Sequence, residues 1–411
     1  MVGYRITPAD IDPLLEGLAI LGTGGGGNPE WGRAILEKDL AAGRELVLVD
    51  PDQIPDDSLV VCGGIMGSVK TLEQWSIHDL LDRWEKKFEL LEATRAMERY
   101  LNRRVDYVVP FEVGGLNTPV MLSLAARLGV PAVDGDALGR SAPETQMTSF
   151  LGHGISLTPM PLVDAKGNTI IVTEQVDPVF ADEIGRWMVT KGGGLGANNH
   201  YPMSGEQLKQ AVIPRTITKA MEIGRAVLAA RVEGKDAVRR VAEVMGGKFL
   251  FRGTVEKVEG EDRGGFYLTN VWMSGEDDCG QARAHMVIKN ETMVLWIKDE
   301  LKAVFPDLVC MLDPESGRGI MSVDIEEGKP MALVGVPCHQ RLREGMKSPQ
   351  GARAFGGARY GHPELEYTPI ETVVAAIPHK TRKEGSFGED FPAVYWGQQY
   401  KISQGPRGTR S

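Results

Sequence analysis

Three apolar segments in the first half of the sequence are each followed by glycine or acidic residues. Residues 59–62 lead into Gly63 and Gly64, residues 108–111 into Glu112, and residues 131–133 into Asp134 and Asp136. If these segments are parallel strands, their carboxyl ends meet at one edge of a sheet, where open α/β folds bind ligands. Carboxylates at such an edge can act as acids or bases. We therefore predict Glu112, Asp134 and Asp136 as catalytic residues, the alternative being ordinary turn carboxylates.

A glycine run spans residues 22–27, interrupted only by Thr23 and followed by Asn28 and Pro29. Its glycines match G-x-G-x-x-G, and Asp50 follows at about the distance that a dinucleotide site requires. That fingerprint needs a preceding strand, whereas the apolar residues of 11–18 recur at helical spacing. A glycine loop that opens a helix at Asn28 is also a good anion site, because free amides and the helix dipole point there. We expect an anion-binding loop and no nucleotide.

A basic residue, Arg140, follows the third acidic segment. Its planar guanidinium can bind a substrate carboxylate through two parallel hydrogen bonds. The alternative is an internal ion pair with Glu144 or Asp136. On the first interpretation Arg140 belongs to the substrate site, and on the second it only supports the surrounding loops.

Spacings typical of metal sites and of serine hydrolases do not occur in the sequence. It contains no C-x-x-C, no H-E-x-x-H and no G-x-S-x-G. A site built from distant residues, such as a histidine with Asp134 or Asp136, stays open, so a divalent metal is an alternative for which no ligands are predicted. Cys62 ends a predicted strand and could be a nucleophile, but the role of a small buried apolar residue is favoured.

Length, charge and apolar pattern limit the function classes. The chain has 411 residues, a formal net charge of −10 and no block of like charges, which argues against a nucleic-acid partner because phosphate binding needs a basic face. It has no apolar run of membrane-spanning length and no signal-peptide pattern, so we expect no membrane partner. The four cysteines are far apart and are expected to be reduced. We expect a cytoplasmic protein and, on base rates, a homo-oligomer.

The elements that must position these residues change character along the chain. Strands alternating with helices predict a three-layer α/β domain with a mostly parallel sheet over residues 1–165. A second domain is predicted over residues 166–380, with helices at 175–246 and strands at 247–380 that form an antiparallel sheet or small barrel. A hairpin-like segment at 160–174 lies at the junction. Residues 381–411 are expected to form a tail.

Several motifs, spread over residues 8–375, resemble those of one known family. They are the segments 21–29, 112–117, 133–144, 289–291 and 306–317. Together they resemble the S-methyl-thiohydantoin desulfurase-like proteins, long classed as a domain of unknown function and commonly associated with hydantoinases. The first and third motifs are the most specific in combination, whereas residues 337–340 and the C-terminal tail match the family pattern least.

The resemblance implies a three-layer α/β domain joined to a β-rich domain, and a small substrate with a hydantoin-like or thiohydantoin-like ring. It implies hydrolysis in which water attacks the carbon of the C–S bond and a thiol or sulfide leaves. Such a reaction needs a base, for which Glu112, Asp134 or Asp136 is suited, and donors for the developing charge. The predicted substrate-binding residues are Gly24, Gly25, Gly26, Gly27, Asn28, Gly114, Gly115, Asn117, Arg140 and Glu144.

Two other functions stay open on the sequence. The formal match to the glycine fingerprint allows a nucleotide-dependent oxidoreductase as an alternative. Binding of NAD or a flavin would distinguish this alternative from the hydrolase. The association of the family with hydantoinases leaves an accessory subunit without activity of its own. Against the accessory role, carboxylates and glycines concentrate at strand ends, which a purely structural subunit does not need.

Overall fold

A computed structural model describes residues 3–67, 76–263 and 266–374 of the chain. Two large β-sheets organise it: an eight-stranded mixed sheet in the N-terminal part and a seven-stranded antiparallel sheet in the C-terminal part. The strands are β1 Tyr4–Arg5, β2 Val47–Val49, β3 Leu59–Gly67, β4 Tyr107–Pro110, β5 Ala132–Val133, β6 Gly135–Asp136, β7 Met160–Asp164, β8 Thr169–Val172, β9 Leu195–Ser204, β10 Ile213–Pro214, β11 Lys248–Arg263, β12 Phe266–Gly275, β13 Arg283–Lys289, β14 Glu291–Ile297, β15 Glu300–Val304, β16 Leu308–Leu312 and β17 Pro330–Val336.

Helices cover the sheets and connect their strands. They are α1 Ile11–Leu21, α2 Pro29–Ala41, α3 Ile77–Lys86, α4 Glu89–Leu101, α5 Asn117–Leu128, α6 Ser149–Gly152, α7 Phe180–Lys191, α8 Gly205–Ala211, α9 Thr216–Val232, α10 Ala237–Met245, α11 Gln340–Gly345, α12 Pro349–Phe355 and α13 Ile370–Val373. Short 3-10 helices lie at Pro8–Asp10, Pro51–Gln53, Asp277–Cys279, Ser322–Asp324 and Gly357–Tyr360. Among the described residues, no helix is both long enough and apolar enough to cross a membrane.

The eight-stranded sheet has a parallel centre and antiparallel flanks. Its order is β1-β2-β5-β4-β3-β9-β7-β8, with β2, β5, β4 and β3 parallel and the remaining pairs antiparallel. Gly63 faces Leu90 of α4, whereas Met66 packs against Gly185 of α7. Because successive strand residues point to opposite faces, these contacts place helices on both sides of the sheet. The predicted three-layer α/β arrangement is confirmed.

The two helices around the glycine run begin at residues that suit helix starts. The Thr7 N–H donates to Asp10 Oδ2 at 3.0 Å ahead of α1, and the Glu30 N–H donates to Asn28 Oδ1 at 2.9 Å at the start of α2. Both bonds use side-chain oxygens to satisfy amides that a helix start leaves open. The glycine run therefore joins two helices, and the strand that a dinucleotide fingerprint needs does not precede it.

The hairpin predicted at residues 160–174 is confirmed by β7 and β8, which pair antiparallel. Its turn contains Gly167 at a φ of 93°, and Asp164 Oδ1 accepts the N–H of Asn168 at 2.8 Å. The expected domain boundary between residues 165 and 166 falls in this turn, and both strands belong to the eight-stranded sheet. The predicted tail, residues 381–411, lies outside the described residues.

The C-terminal sheet is antiparallel throughout, as predicted, in the order β15-β14-β13-β12-β11-β17-β16. It is curled into a half-barrel. The register of β11 shifts against both of its neighbours, and bulges of this kind increase the local twist of a sheet. A buried apolar cluster joins the two parts of the chain, since it contains Leu18 of α1, Ile217 of α9 and Leu308 of β16.

Strands β9, β15 and β16 were not expected from the sequence pattern. Strand β9 carries Asn198, Asn199 and His200 in its middle, so it lacks the apolar alternation of a typical strand. It nevertheless lies inside the sheet, between β3 and β7, and most of its residues are buried. Its polar side chains therefore face other protein groups or a cavity.

Candidate functional site

A cavity of about 200 Å³ lies between the N-terminal sheet and loops of the C-terminal part. Segments from both parts of the chain contribute to its wall. The lining residues include Gly24, Gly25, Gly27, Gly64, Met66, Phe111, Glu112, Asn117, Glu144, Asp182, Arg186, Asn198, His200, Asn290, Met321 and Val323. The wall combines carboxyl, amide, imidazole and apolar groups, which is the composition of a site for a small polar ligand.

The structure brings several of the predicted site residues together at this cavity. Those that line it are Gly24, Gly25, Gly27, Glu112, Asn117 and Glu144. Gly26 and Gly114 lie behind the wall, where the Gly114 Cα is 2.7 Å from the position that a Cβ on Gly26 would occupy. The Leu116 N–H donates to Gly26 O at 3.0 Å. The glycine run and the segment after β4 are therefore packed backbone against backbone.

The remaining predicted binding residues in these two segments support their local structure. Asn28 caps α2 through its side chain. Gly115 packs against the glycine run, with Gly27 O 2.8 Å from the position of an added Cβ. The amides of Gly24 and Gly26 donate to Ile320 O at 3.0 Å and to Gly22 O at 2.8 Å. The fold thus already uses two of the amides that the sequence suggested for anion binding.

Glu112 is held rigidly at the end of β4. The Asn117 Nδ2 donates to its Oε1, and the Ala142 N–H donates to its Oε2 at 2.5 Å. The side chain is buried. Burial raises the pKa of Glu112 well above its ordinary value, and the charge of Glu291 raises it further. A carboxyl with a raised pKa is a stronger base and can also hold a proton near neutral pH.

Glu291 is a site residue that the sequence reasoning did not single out, although it lies in one of the family-like motifs. It begins β14 and packs against Gly25, which is one of the residues that line the cavity. Burial raises the pKa of Glu291, while the positive charge of Arg140 acts in the opposite direction. Two buried carboxyls whose charges repel each other do not both ionise readily. Glu112 and Glu291 therefore titrate as a pair.

Asp134 and Asp136 do not line the cavity and have partners within the fold. Asp134 Oδ1 accepts the N–H groups of Ile217 at 3.1 Å and Thr218 at 3.0 Å, so it caps the start of α9. Asp136 Oδ2 accepts the N–H of Leu138 at 2.8 Å inside a tight turn. Burial raises the pKa of Asp134 to about 6 and that of Asp136 to about 7.

Arg140 also points away from this cavity and lines a second one of about 70 Å³. Its guanidinium donates to the carbonyl oxygens of Ser141 at 3.0 Å and Asp307 at 2.7 Å, and it lies 4.6 Å from the ring centroid of Phe305. Neither bond is an ion pair with Glu144 or Asp136. The arginine that lines the main cavity is Arg186, whose Nε donates to Asp182 Oδ2 at 2.7 Å.

Glu144 connects the cavity wall to the C-terminal part. The Lys289 Nζ donates to its Oε1 at 2.5 Å, and the side chains of both residues are almost fully buried. Arg359 forms a second ion pair with Glu144, and Gln146 Nε2 donates to its Oε2 at 2.8 Å. Burial lowers the pKa of Lys289. This network holds the segment that carries Ala142 and Glu144 against β13.

His200 was not predicted as a site residue from the sequence, but it lines the cavity. It is 1% exposed, and its Nδ1 has no hydrogen-bond partner among the described residues. Burial lowers the pKa of His200 to about 3, so the imidazole is neutral at physiological pH. The signal that could have found it is the polar run Asn198-Asn199-His200 inside an otherwise apolar stretch.

A cysteine nucleophile and a metal ion are the two other chemistries that the sequence left open. Cys62 is fully buried on β3, and burial raises the pKa of its thiol well above the ordinary value, which opposes formation of the nucleophilic thiolate. Within the described part of the chain, no group of three or more His, Cys, Asp or Glu side chains is arranged to hold a metal ion. The cavity presents the carboxyl groups of Glu112, Glu144 and Asp182, the neutral imidazole of His200 and the carboxamides of Asn117 and Asn198.

Two family models cover almost the whole chain. The S-Me-THD-like N-terminal domain matches residues 9–174, and the S-Me-THD-like C-terminal domain matches residues 176–370. The chain belongs to the S-Me-THD-like family. The resemblance inferred from the sequence motifs is thereby confirmed, and the family name points to a thiohydantoin-related function for this S-Me-THD-like protein. No curated protein matches the chain.

A solved structure shares the fold of this S-Me-THD-like protein. It is the crystal structure of a protein from Chromobacterium violaceum, with a TM-score of 0.70 and 22% sequence identity. The match covers 90% of this chain and 100% of that chain. At this level of identity the similarity concerns the fold alone.

Proposed function

We propose that this S-Me-THD-like protein is a hydrolase that removes sulfur from a small thiohydantoin or S-methyl-thiohydantoin ring. The observation that supports this most is the placement of Glu112. Its carboxyl is buried, has a raised pKa and lines a cavity together with glycines and carboxamides. Hydrolysis of a C–S bond on a polar ring needs a base of this kind beside donors for the developing charge.

In the proposed reaction, ionised Glu112 takes a proton from water while the water oxygen bonds to the ring carbon that carries sulfur. The protonated Glu112 then delivers that proton to the ring nitrogen. When the C–S bond breaks, the new hydroxyl becomes a carbonyl and gives its proton to Glu112, which passes it to the departing sulfur. Water and the S-methyl ring thus become a hydantoin and methanethiol. With a 2-thiohydantoin, the first proton goes to the sulfur of the opened C=S bond, and the same second step then releases hydrogen sulfide.

Other cavity groups have roles that follow from their chemistry. The amides of Gly25 and Gly27 are the donors that we assign to the negative charge of the intermediate, as glycine backbones permit close approach. Asn117 and Ala142 keep Glu112 in one orientation, which a proton carrier requires. The repulsion from Glu291 maintains the high proton affinity of Glu112. Glu291 is thus a positioning residue and Glu112 the catalytic one.

The test is a sulfur-release assay on the full-length chain. Purified protein is incubated with 2-thiohydantoins and S-methyl-thiohydantoins, with and without added divalent metal, and sulfide and methanethiol are measured. We expect release by the wild type and a loss of at least about 100-fold in the Glu112→Gln variant, a typical contribution of one acid–base group.

The matched control is Asp134→Asn, because Asp134 is equally buried but lies outside the cavity. Asparagine can still accept the amides of α9 through its carbonyl oxygen, so this variant should fold and keep most of its activity. Full activity of Glu112→Gln, or an equal loss in both variants, would refute the assignment of Glu112. Absence of release from every ring compound would favour the accessory-subunit alternative.

Partners stay predictions at this point. We propose association with a hydantoinase and assembly as a homo-oligomer, since the first follows from the family resemblance and the second from base rates. Co-purification with a hydantoinase tests the first. Light scattering of the purified chain tests the second.

A further inference from the structure

We propose that the substrate ring lies flat on the backbone of β3 at Gly64, and that the missing side chain there selects planar rings with at least one unsubstituted face. This inference rests on the proposed function, because it assumes that the cavity binds the ring on which Glu112 acts. It goes further by stating how the ring is seated and which substituted rings are excluded.

The first support is the strand register beneath the cavity. Cys62 pairs with His200, and Gly64 pairs with Asn198. Alternate residues of a strand face the same side of the sheet, and so do residues directly opposite each other in an antiparallel pair. Gly64 and Met66 of β3 therefore share one face with Asn198 and His200 of β9. All four line the cavity, so this face is its floor.

The second support is the space above Gly64. A Cβ added there would meet no heavy atom of the described residues within 4 Å, whereas on the neighbouring Gly63 it would lie 2.8 Å from Asn198 O. Gly64 does not have a positive φ, so its backbone does not require glycine. The missing side chain therefore leaves the cavity floor open without any local structural need.

The third support is an unsatisfied polar group beside this floor. His200 is 1% exposed, and its Nδ1 has no hydrogen-bond partner among the described residues. Its ring meets that of Phe111 edge-on, with centroids 5.7 Å apart at 83°. Asn198 contributes an amide that carries both donor and acceptor atoms. A hydantoin-type ring carries N–H donors and carbonyl or sulfur acceptors on its edge, and it matches these groups when it lies flat.

The placement of the ring against the backbone at Gly64, which we call the ring seat, predicts which rings can bind. A ring with one substituent on its tetrahedral carbon can turn its bare face to Gly64, but a ring with two substituents on that carbon presents a methyl group or larger on both faces. Overfilling a packed site by one methyl is unfavourable. We expect hydantoin and 5-methylhydantoin to bind, and 5,5-dimethylhydantoin to bind at least about tenfold more weakly, a typical cost of such overpacking.

The experiment is calorimetric titration of the full-length chain with hydantoin, 5-methylhydantoin and 5,5-dimethylhydantoin. The variants are Gly64→Ala and Gly64→Val, and the control is Thr169→Val, a change at an exposed strand position that does not line the cavity. We expect the Kd for hydantoin to rise at least about tenfold in Gly64→Ala and further in Gly64→Val. The thermal midpoint of Gly64→Ala should stay near the wild-type value, because its added Cβ meets no heavy atom of the described residues within 4 Å.

The outcomes separate this inference from the proposed hydrolysis. An unchanged Kd for hydantoin in Gly64→Val, or equal binding of hydantoin and 5,5-dimethylhydantoin by the wild type, would overturn the ring seat even if sulfur release occurs. Binding that is lost in Gly64→Val, without sulfur release from any ring, would support the seat and refute the hydrolysis. If the wild type binds none of the three rings, the ring seat is overturned, and the sulfur-release assay decides on the hydrolysis separately.

Discussion

The carboxylate of Glu291 lies directly against the Cα of Gly25. Its Oε1 is only 1.8 Å, and its Cδ 2.5 Å, from the position that a Cβ on residue 25 would occupy. Gly25 belongs to the glycine run of the N-terminal part, while Glu291 begins β14 of the C-terminal sheet. Because the charge of Glu291 also raises the pKa of Glu112, this contact connects the glycine run, the second sheet and the proposed catalytic carboxyl.

Gly25→Ala should displace Glu291 and weaken both stability and activity. The added methyl overlaps a buried carboxylate, and such overpacking typically costs about 1–3 kcal/mol of unfolding free energy. Chemical denaturation measures the stability, and the sulfur-release assay measures the activity. Gly64→Ala is the stability control, since its methyl meets no heavy atom of the described residues within 4 Å. Equal unfolding free energies for the two variants would contradict the contact.

Asp136 should make the protein less stable as the pH rises. Its pKa in the folded chain is about 7 against 3.8 in the unfolded chain, so its contribution is fully present below pH 3.8 and is lost as the pH rises through about 7. Asp136→Asn should therefore show a shallower fall in thermal midpoint between about pH 4 and pH 7, the range between these two pKa values. Calorimetric scans across this range measure the slope.

The control for the pH experiment is Thr169→Val, because this exposed change alters no titratable group. Its slope should match that of the wild type. Other buried carboxyls with raised pKa values, such as Glu112 and Asp134, are present in every variant. Part of the fall in thermal midpoint with pH therefore remains in all of them. An Asp136→Asn slope identical to the wild-type slope would show that Asp136 does not titrate between the folded and unfolded states as stated.

Lys289→Met should destabilise the junction between the two parts of the chain. It leaves buried Glu144 without one of its cationic partners, and loss of one member of a buried ion pair costs about 3 kcal/mol. Lys302→Met is the matched control, because Lys302 pairs with the largely exposed Glu300 and such a pair contributes no more than about 1 kcal/mol. Denaturant titration compares the two variants, and similar losses in both would argue against the network.

Thr23→Val should loosen the glycine run. The Thr23 hydroxyl donates to Ile320 O at 3.1 Å and accepts the N–H of Met311 at 3.1 Å. Valine has the same shape without these bonds, so we expect a loss of about 1–3 kcal/mol and a raised KM. Thr372→Val is the control, since its bond to Pro369 O is exposed. If Thr23→Val keeps both the wild-type stability and KM, the hydroxyl does not anchor the run.

Local sequence signals were sufficient for much of the fold. The helical spacing of the apolar residues in 11–18 predicted α1, the helix opening at Asn28 predicted the start of α2, and the hairpin-like segment at 160–174 predicted β7 and β8. These features depend on residues close together in the chain, where propensity and capping act. The same reasoning placed Glu112 at a strand end, because an apolar strand followed by acidic and glycine residues has a recognisable local pattern.

The division of roles among the acidic residues was decided by tertiary structure. Glu112, Asp134 and Asp136 follow strands in the same way, but α9 packs its amides onto Asp134, and the turn amides of Leu138 and Gly139 enclose Asp136. Only Glu112 among the three lines the cavity. Whether a carboxyl lines the cavity or is buried in the fold depends on the segments that pack against it. For Asp134 that segment is α9, which begins some 80 residues further along the chain, so its effect cannot be read from the local sequence.

The remaining members of the site depend on contacts between distant segments. His200 and Asn198 reach the cavity because β9 runs antiparallel to β3 with Gly64 opposite Asn198, a register that no local spacing encodes. Glu291 arrives from the second sheet. The sequence by itself therefore determined α1 and the start of α2, the hairpin, the family and the glycine run. Strand pairing and domain packing determined which polar groups share one cavity, because burial and register are properties of the assembled chain.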